Sequence, residues 1–397
     1  MTRRRDFLRS LPLISLAPTV PGFLARTARA AAPRADDRVL VVIQLDGGND
    51  GINTVVPSGD EGYAKHRRSL KLPADRLIKV SDGVGLHPAM GEAGKLLESG
   101  RLAIVPGVGY PNPNRSHFAS MAIWQTARLD PEEHAGPGWI GRSLDASGGR
   151  ADSLFVGPGT IPAALRGRRA PASAIERLDD LKLVPTLGRQ VDPPTVDEPI
   201  GDDLAAFVRR STLDAYAGAD RLAELARLDD GSARYPSTPL AARLKLVARL
   251  LKGGYASRVF YTTQGGYDTH AAQAPTHSGL LSDLSGALRA FLDDLEGSKL
   301  AERVLVLGFS EFGRRVAENG SAGTDHGTAG PVLLAGPGVR PGLIGPYPSL
   351  SDLEDGDLKA AVDFRRIYAT VLGSWLALPP VAPLGARFEP LPLFDAR

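Results

Sequence analysis

Val39-Leu40-Val41-Val42-Ile43-Gln44-Leu45, closed by Asp46-Gly47-Gly48-Asn49-Asp50-Gly51, is the stretch from which the fold can be read. Its first seven residues are nearly all apolar and mostly β-branched. They lack polar alternation, the pattern of a strand buried on both faces of a parallel sheet. The Gly, Asn and Asp that follow are turn formers. Similar runs recur at Leu102–Val105, Leu154–Val156, Val259–Thr263, Val304–Phe309 and Val332–Ala335, with helical patterns at Pro88–Ser99, Pro239–Leu251 and His277–Leu295. In the last of these, Leu281, Leu284, Leu288, Phe291 and Leu295 recur at helical spacing, while Asp283, Arg289 and Asp293 keep mostly to the other face. Strands alternating with helices predict an α/β fold, doubly wound, with a mostly parallel sheet flanked by helices.

Working outward, the stretch from about 184 to 239 begins with the Pro- and acid-rich Val191-Asp-Pro-Pro-Thr-Val-Asp-Glu-Pro199 and continues into helical patterns. It reads as a helical insertion in one domain covering residues 31–397, since about 50 residues with few large apolar groups make a marginal core of their own. The N-terminus carries Arg4-Arg5-Asp6-Phe7-Leu8-Arg9, then a short Pro-interrupted apolar stretch, then Ala28-Arg29-Ala30. This is the pattern of a cleavable twin-arginine signal over residues 1–30, which makes the twin-arginine translocase the expected partner and the periplasm or exterior the expected location. The apolar stretch is shorter than the roughly 20 residues of a bilayer span.

Residues 1–30 hold six Arg and one Asp, so a whole-chain charge of +2 leaves −3 for the remainder. No basic run remains to suggest nucleic acid as a partner. The chain has no Cys, so a metal site must use imidazole, carboxylate and hydroxyl ligands, which suit hard or borderline divalent ions.

In open α/β sheets, ligands bind beyond the carboxyl ends of the strands. Those ends deliver Asp46, Asn49 and Asp50; Tyr110-Pro-Asn-Pro-Asn114-Arg115-Ser116-His117-Phe118; Asp268-Thr-His270, with His277 further on; and Ser310-Glu311-Phe312-Gly-Arg314-Arg315. The last run is preceded by Asp325-His326. Carboxylates and imidazoles converging from several loops can hold a divalent ion, and a hydroxyl beside such an ion becomes a nucleophile at neutral pH.

Taken together, Leu45-Asp-Gly-Gly-Asn-Asp-Gly51, Gly109-Tyr-Pro-Asn-Pro-Asn-Arg-Ser-His-Phe118, Gly266-Tyr-Asp-Thr-His-Ala271, Phe309-Ser-Glu-Phe-Gly-Arg-Arg315 and Thr324-Asp-His-Gly327 resemble the bacterial family of domain-of-unknown-function 1501, from about Val39 to Trp375. The resemblance implies an alkaline-phosphatase-like fold, of the superfamily that includes sulfatases and phosphoglycerate mutases. It implies Asp46, Asp268, His270, Glu311 and His326 as metal ligands, Ser116 at a helix start as nucleophile, and Arg115, Arg314 or Asn114 as binders of the anionic group. Asn49, His277 and Asp325 are secondary candidates. The sequence departs from the superfamily pattern in two places. One residue separates Asp268 from His270 where three are usual, and Phe312 stands where an imidazole ligand is expected.

The function expected on this basis is an exported metal-dependent hydrolase of phosphate or sulfate esters, with zinc or manganese as cofactor and a small anionic ester as substrate. The alternative is a non-catalytic binding or cell-envelope assembly protein that keeps the scaffold, motivated by Phe312 and the altered spacing. A third reading, a sugar- or polymer-binding module, rests on Tyr110, Trp124 and Trp139 in a chain with 6% aromatic residues.

Overall fold

The computed structural model describes residues 38–147, 153–170, 172–176 and 233–395. The expected signal segment and the part of the expected insertion up to residue 232 lie outside the described residues. The described strands of the main sheet are β1 (Val39–Leu45), β2 (Leu102–Gly109), β3 (Ser153–Val156), β4 (Ala172–Ile175), β5 (Val259–Gln264), β6 (Val304–Ser310), β7 (Gly330–Ala335), β8 (Gly342–Leu343) and β9 (Val362–Asp363). They lie in the order β8-β2-β7-β6-β1-β5-β3-β4, with β9 also against β2. β1 is central, parallel to β5 and to β6.

The lack of alternation in β1 has the cause expected of it. Val39, Val41, Ile43 and Leu45 pack into one core, with α1 (Gly91–Glu98), α4 (Pro239–Lys252) and α5 (Gln273–Gly297). Leu40 and Val42 pack into the other, with α2 (His117–Thr126), α3 (Trp139–Ala146) and α6 (Phe364–Thr370). Every residue of the strand is buried. Among the described residues, no helix is long and apolar enough to cross a membrane.

Three differences from the sequence expectation have physical causes. β2 runs on to Gly109 through Pro106, because a register shift opposite Gly330 and Val332 forms a bulge there. A bulge is where a strand tolerates a residue without an N–H, and Gly107 beside it takes φ +61°. α5 starts at Gln273, ahead of His277, since Pro275 falls in the first turn, where its missing N–H costs no helical bond. β7 is antiparallel to both β6 and β2, the one such strand in the described main sheet. Its N-terminal end therefore lies at the edge where the parallel strands have their C-terminal ends.

The aromatic residues considered for sugar binding are core residues. Trp124 stacks between Phe309 and Phe364 at 4.9 and 4.5 Å, Trp139 stacks on Tyr368 at 4.0 Å, and Tyr110 is buried. The polymer-binding reading thereby loses its residues.

Under the strand-end loops lies a buried polar network. Asp50 caps the short helix Gly51–Thr54 and forms a buried ion pair with Arg67, at 2.5 and 2.9 Å. Gln273 Nε2 donates to the same carboxylate at 2.5 Å, and Arg67 Nε donates to the Val316 carbonyl at 2.7 Å. His277 Nε2 faces Asn49 Oδ1 at 3.0 Å, and since an amide oxygen only accepts, that nitrogen carries the proton. Burial holds the His277 imidazole down at about 4, against a partial counter-effect from Asp50.

The folded state thus refuses a proton that the unfolded chain accepts below about 6.5. This group's contribution is complete above that pH and is lost progressively down to about 4, on the order of 3 kcal/mol in all. Urea unfolding from pH 7 to 4.5 should show a stability slope that flattens in His277→Gln; equal slopes in both proteins would refute the assignment.

Candidate active site

The loops at this edge are drawn together by Arg314, which is almost wholly buried. Its Nε donates to the Gly48 carbonyl at 2.6 Å and its Nη1 to the Thr324 carbonyl at 2.8 Å. Its Nη2 donates to the carbonyls of Gly47 and Tyr267 and to Asp268 Oδ1, the last at 2.7 Å. Gly47 and Gly48, with φ +114° and +71°, allow the close approach, for a Cβ on Gly47 would stand 2.5 Å from the Asp268 nitrogen. Burial would raise the Asp268 carboxyl. The hydrogen bond and charge of Arg314 lead the influences that outweigh it and bring the group down to about 2.

Three imidazoles face that carboxylate. His270 Nε2 is 2.9 Å and His326 Nε2 3.2 Å from Asp268 Oδ1, and His117 Nε2 is 3.5 Å from Oδ2. Each ring is fixed from behind by an oxygen acceptor at Nδ1. His117 has Glu311 Oε1 at 2.7 Å, His270 has Asp325 Oδ1 at 3.2 Å, and His326 has the Arg115 carbonyl at 2.9 Å. Ionised carboxylates and carbonyls only accept, so the neutral rings carry their protons on Nδ1 and turn Nε2 lone pairs towards Asp268. His117 Nε2 is buried with no hydrogen-bond partner. His117, Asp268 and His326 form a group able to hold a metal ion, their ligand atoms all within 4.8 Å of one another. An oxygen acceptor behind each ligating imidazole is the usual support of a metal site.

The other candidates are placed as follows. Glu311 is buried, with Oε1 accepting from Gly47 N–H at 3.0 Å as well as from His117, and Oε2 accepting from the Ser310 hydroxyl at 2.8 Å. The Asp46 carboxylate is hydrogen-bonded by Gln44. Burial lifts Asp46 to about 6 against that hydrogen bond, and the Glu311 charge adds to the rise. Ser116 is the N-cap residue of α2, exposed, with no cap bond from its hydroxyl; its N–H donates to Asn114 Oδ1 at 2.8 Å. Arg115 pairs with the buried carboxylate of Asp357, so the structure does not bring its guanidinium to Asp268. Asn49 and His277 belong to the buried network beneath. Asp325 is drawn in as the support of His270, and Asn319 Nδ2 donates to it at 3.2 Å.

His117 is the residue that sequence reasoning passed over. Its signal was its place one residue after Ser116, at the first turn of a helix opening on this edge. Phe312 is buried, its ring centre 4.9 Å from those of both His117 and His326. A cavity of about 660 Å³ is bordered by Tyr110, Pro111, Pro113, Arg115, Asp355 and Thr328; neither Ser116, Asp268 nor any of the three imidazoles lines it.

Residues 209–378 match the family described as "Protein of unknown function (DUF1501)"; this stretch contains Asp268, His270, Glu311, Arg314 and His326 but not Asp46 or His117. No curated protein matches the sequence. Among solved structures the chain is similar to Ps i-CgsB, solved in complex with k-i-k-neocarrahexaose (11% identity, 89% of this chain and 73% of that one, TM-score 0.39). It is also similar to the lipoteichoic acid synthase LtaP from Listeria monocytogenes (11% identity, 86% and 80%, TM-score 0.36) and to a protein in the alkaline phosphatase superfamily from Vibrio parahaemolyticus (10% identity, 86% and 76%, TM-score 0.37).

Arg314→Lys removes the planar fork that five acceptors require and strands several loop carbonyls. It should lower stability by about 3 kcal/mol, measured by urea unfolding. A loss below about 1 kcal/mol would mean that the loops hold their places without it.

Proposed function

We propose, for a chain whose residues 209–378 match the DUF1501 family, that it is an exported metal-dependent hydrolase of phosphate or sulfate esters. One observation carries the reading: three imidazole Nε2 atoms, each with Nδ1 held by an oxygen acceptor, converge on the single carboxylate of Asp268. Asp268, His117, His270 and His326 would hold a divalent cation, and their nitrogen-rich set favours zinc or manganese over magnesium or calcium. Such an ion lowers the pKa of a hydroxyl and stabilises developing negative charge.

The chain's own residues supply the rest. Ser116 Oγ, free of capping duty, attacks the ester centre; the alcohol leaves, and water then releases the anion from the serine. Asn114 Oδ1 holds the Ser116 N–H and so sets the hydroxyl's place at the helix start. With both guanidinium groups engaged elsewhere, the first N–H groups of α2 are the donors nearest in sequence to Ser116 for the anionic group, a role to which helix N-termini are suited.

The non-catalytic reading keeps one specific support, the buried Phe312 in the place of an expected ligand. The two separate on activity. Zinc- or manganese-loaded protein is expected to hydrolyse at least one ester in a panel of aryl and alkyl phosphates and sulfates, with Ser116→Ala lowering kcat at least about a hundredfold. No turnover across the panel, or turnover indifferent to Ser116→Ala, would favour the scaffold reading. Export rests on Arg4 and Arg5. Fractionation of cells making the full chain should find it outside the cytoplasm, and Arg4→Lys with Arg5→Lys should retain it inside; export unaffected by that change would remove the twin-arginine assignment.

A further inference from the structure

The superfamily resemblance implies Asp46, Asp268, His270, Glu311 and His326 as ligands of one or two ions, with Phe312 where a further imidazole is expected. Asp46 and Glu311 are already engaged. Glu311 is 2% exposed, and its oxygens are taken by the Gly47 N–H, His117 Nδ1 and the Ser310 hydroxyl. Asp46 Oδ1 is taken by Gln44. The Phe312 ring fills the space beside His117 and His326, and a Cβ on Gly48 would stand 2.4 Å from it.

The same substitution leaves room for a different arrangement. Glu311, instead of facing an ion, points His117 Nε2 at the far oxygen of Asp268. His326 Nε2 lies 3.0 Å from His270 Nε2, and Arg314 Nη1 approaches His270 Nε2 at 3.4 Å. A guanidinium N–H can only donate, so His270 presents a lone pair there. Lone-pair atoms facing one another at 2.9, 3.0, 3.2 and 3.5 Å repel unless a cation or shared proton lies among them. Ligands about 2.0–2.1 Å from a tetrahedral zinc ion stand roughly 3.3 Å apart, and His117, Asp268 and His326 present ligand atoms within 4.8 Å of one another.

We propose that this chain holds one divalent ion, of the zinc class, ligated by Nε2 of His117, His270 and His326 and by Asp268. His117 thus enters as a ligand in a centre with a single metal place. Glu311, Asp325 and the Arg115 carbonyl orient the three imidazoles and do not bind the ion. The proposal rests on the metal-dependent reading above but is tested without turnover.

The full-length protein, incubated with zinc and dialysed, is analysed for metal content, and its cobalt-substituted form is examined by electronic absorption. One ion per chain is expected, with a tetrahedral cobalt spectrum. Asp46→Asn should leave both unchanged. His117→Ala should weaken zinc at least about tenfold and alter the cobalt bands. Glu311→Gln, which keeps the imidazole but weakens its support, should reduce affinity about tenfold if His117→Ala fails to fold. Two ions per chain, a stoichiometry that falls with Asp46→Asn, or a cobalt spectrum indifferent to His117 would overturn the single-ion centre while leaving metal dependence intact. A folded protein that takes up no zinc, manganese, magnesium or calcium would overturn both.

Discussion

Everything at the ligand edge depends on one buried guanidinium. Arg314 is joined to four backbone carbonyls from three separate loops and to the carboxylate at their centre. The Tyr267 carbonyl also accepts from the Thr269 N–H, but the others lie in turns that leave the sheet, and without Arg314 they would need water in a place that excludes it. The charge is balanced by Asp268 alone, and the remaining contacts are dipolar. Such an arrangement gives orientation more than net stability, because desolvating the guanidinium costs much of what its bonds return. The centre is accordingly rigid where Asp268 meets Arg314 and open on the side where Ser116 is exposed.

Below it, the Asp50–Arg67 pair does for the first loop what Arg314 does for the later ones. Arg67 reaches the carbonyls of Arg315 and Val316, so the loop after β6 is tied both to the loop after β1 and to the segment at residue 67. Asp46, Glu311, Asp268 and His326 therefore share one frame built from charged groups that do no chemistry themselves.

Much of the fold was legible because burial on both faces leaves a plain mark. β1 and β6 are nearly continuous apolar runs, β5 opens on one, and the stripe of leucines in α5 has one period. The direction of β7 was not legible, since an apolar run reads alike both ways; yet that direction brings His326 to the others from the N-terminal side of its strand. In the site, Asp268, His270 and His326 stood out through the motifs that carry the family resemblance, not as single residues. Arg314 also stood out, as a binder of an anion, while in the structure it meets loop carbonyls and Asp268. An Arg beside candidate ligands suggests an anion in solution, while the carbonyls that claim it are invisible in a sequence, because every residue has one. His117 was hidden by its neighbour Ser116, whose hydroxyl is the more familiar chemistry at a helix start.

The position of β1 bears on how the molecule comes into being. The first strand of the described chain is the middle of the sheet, and its partners are Val259–Gln264 and Val304–Ser310, more than 200 residues later. Contacts of such sequence separation carry a large loop-closure entropy and slow the final ordering of a sheet. During synthesis the Val39–Leu45 segment, apolar on both sides, must wait unpaired until more than half of the protein has followed it from the ribosome. Over that interval it is the segment most in need of a chaperone's protection from aggregation.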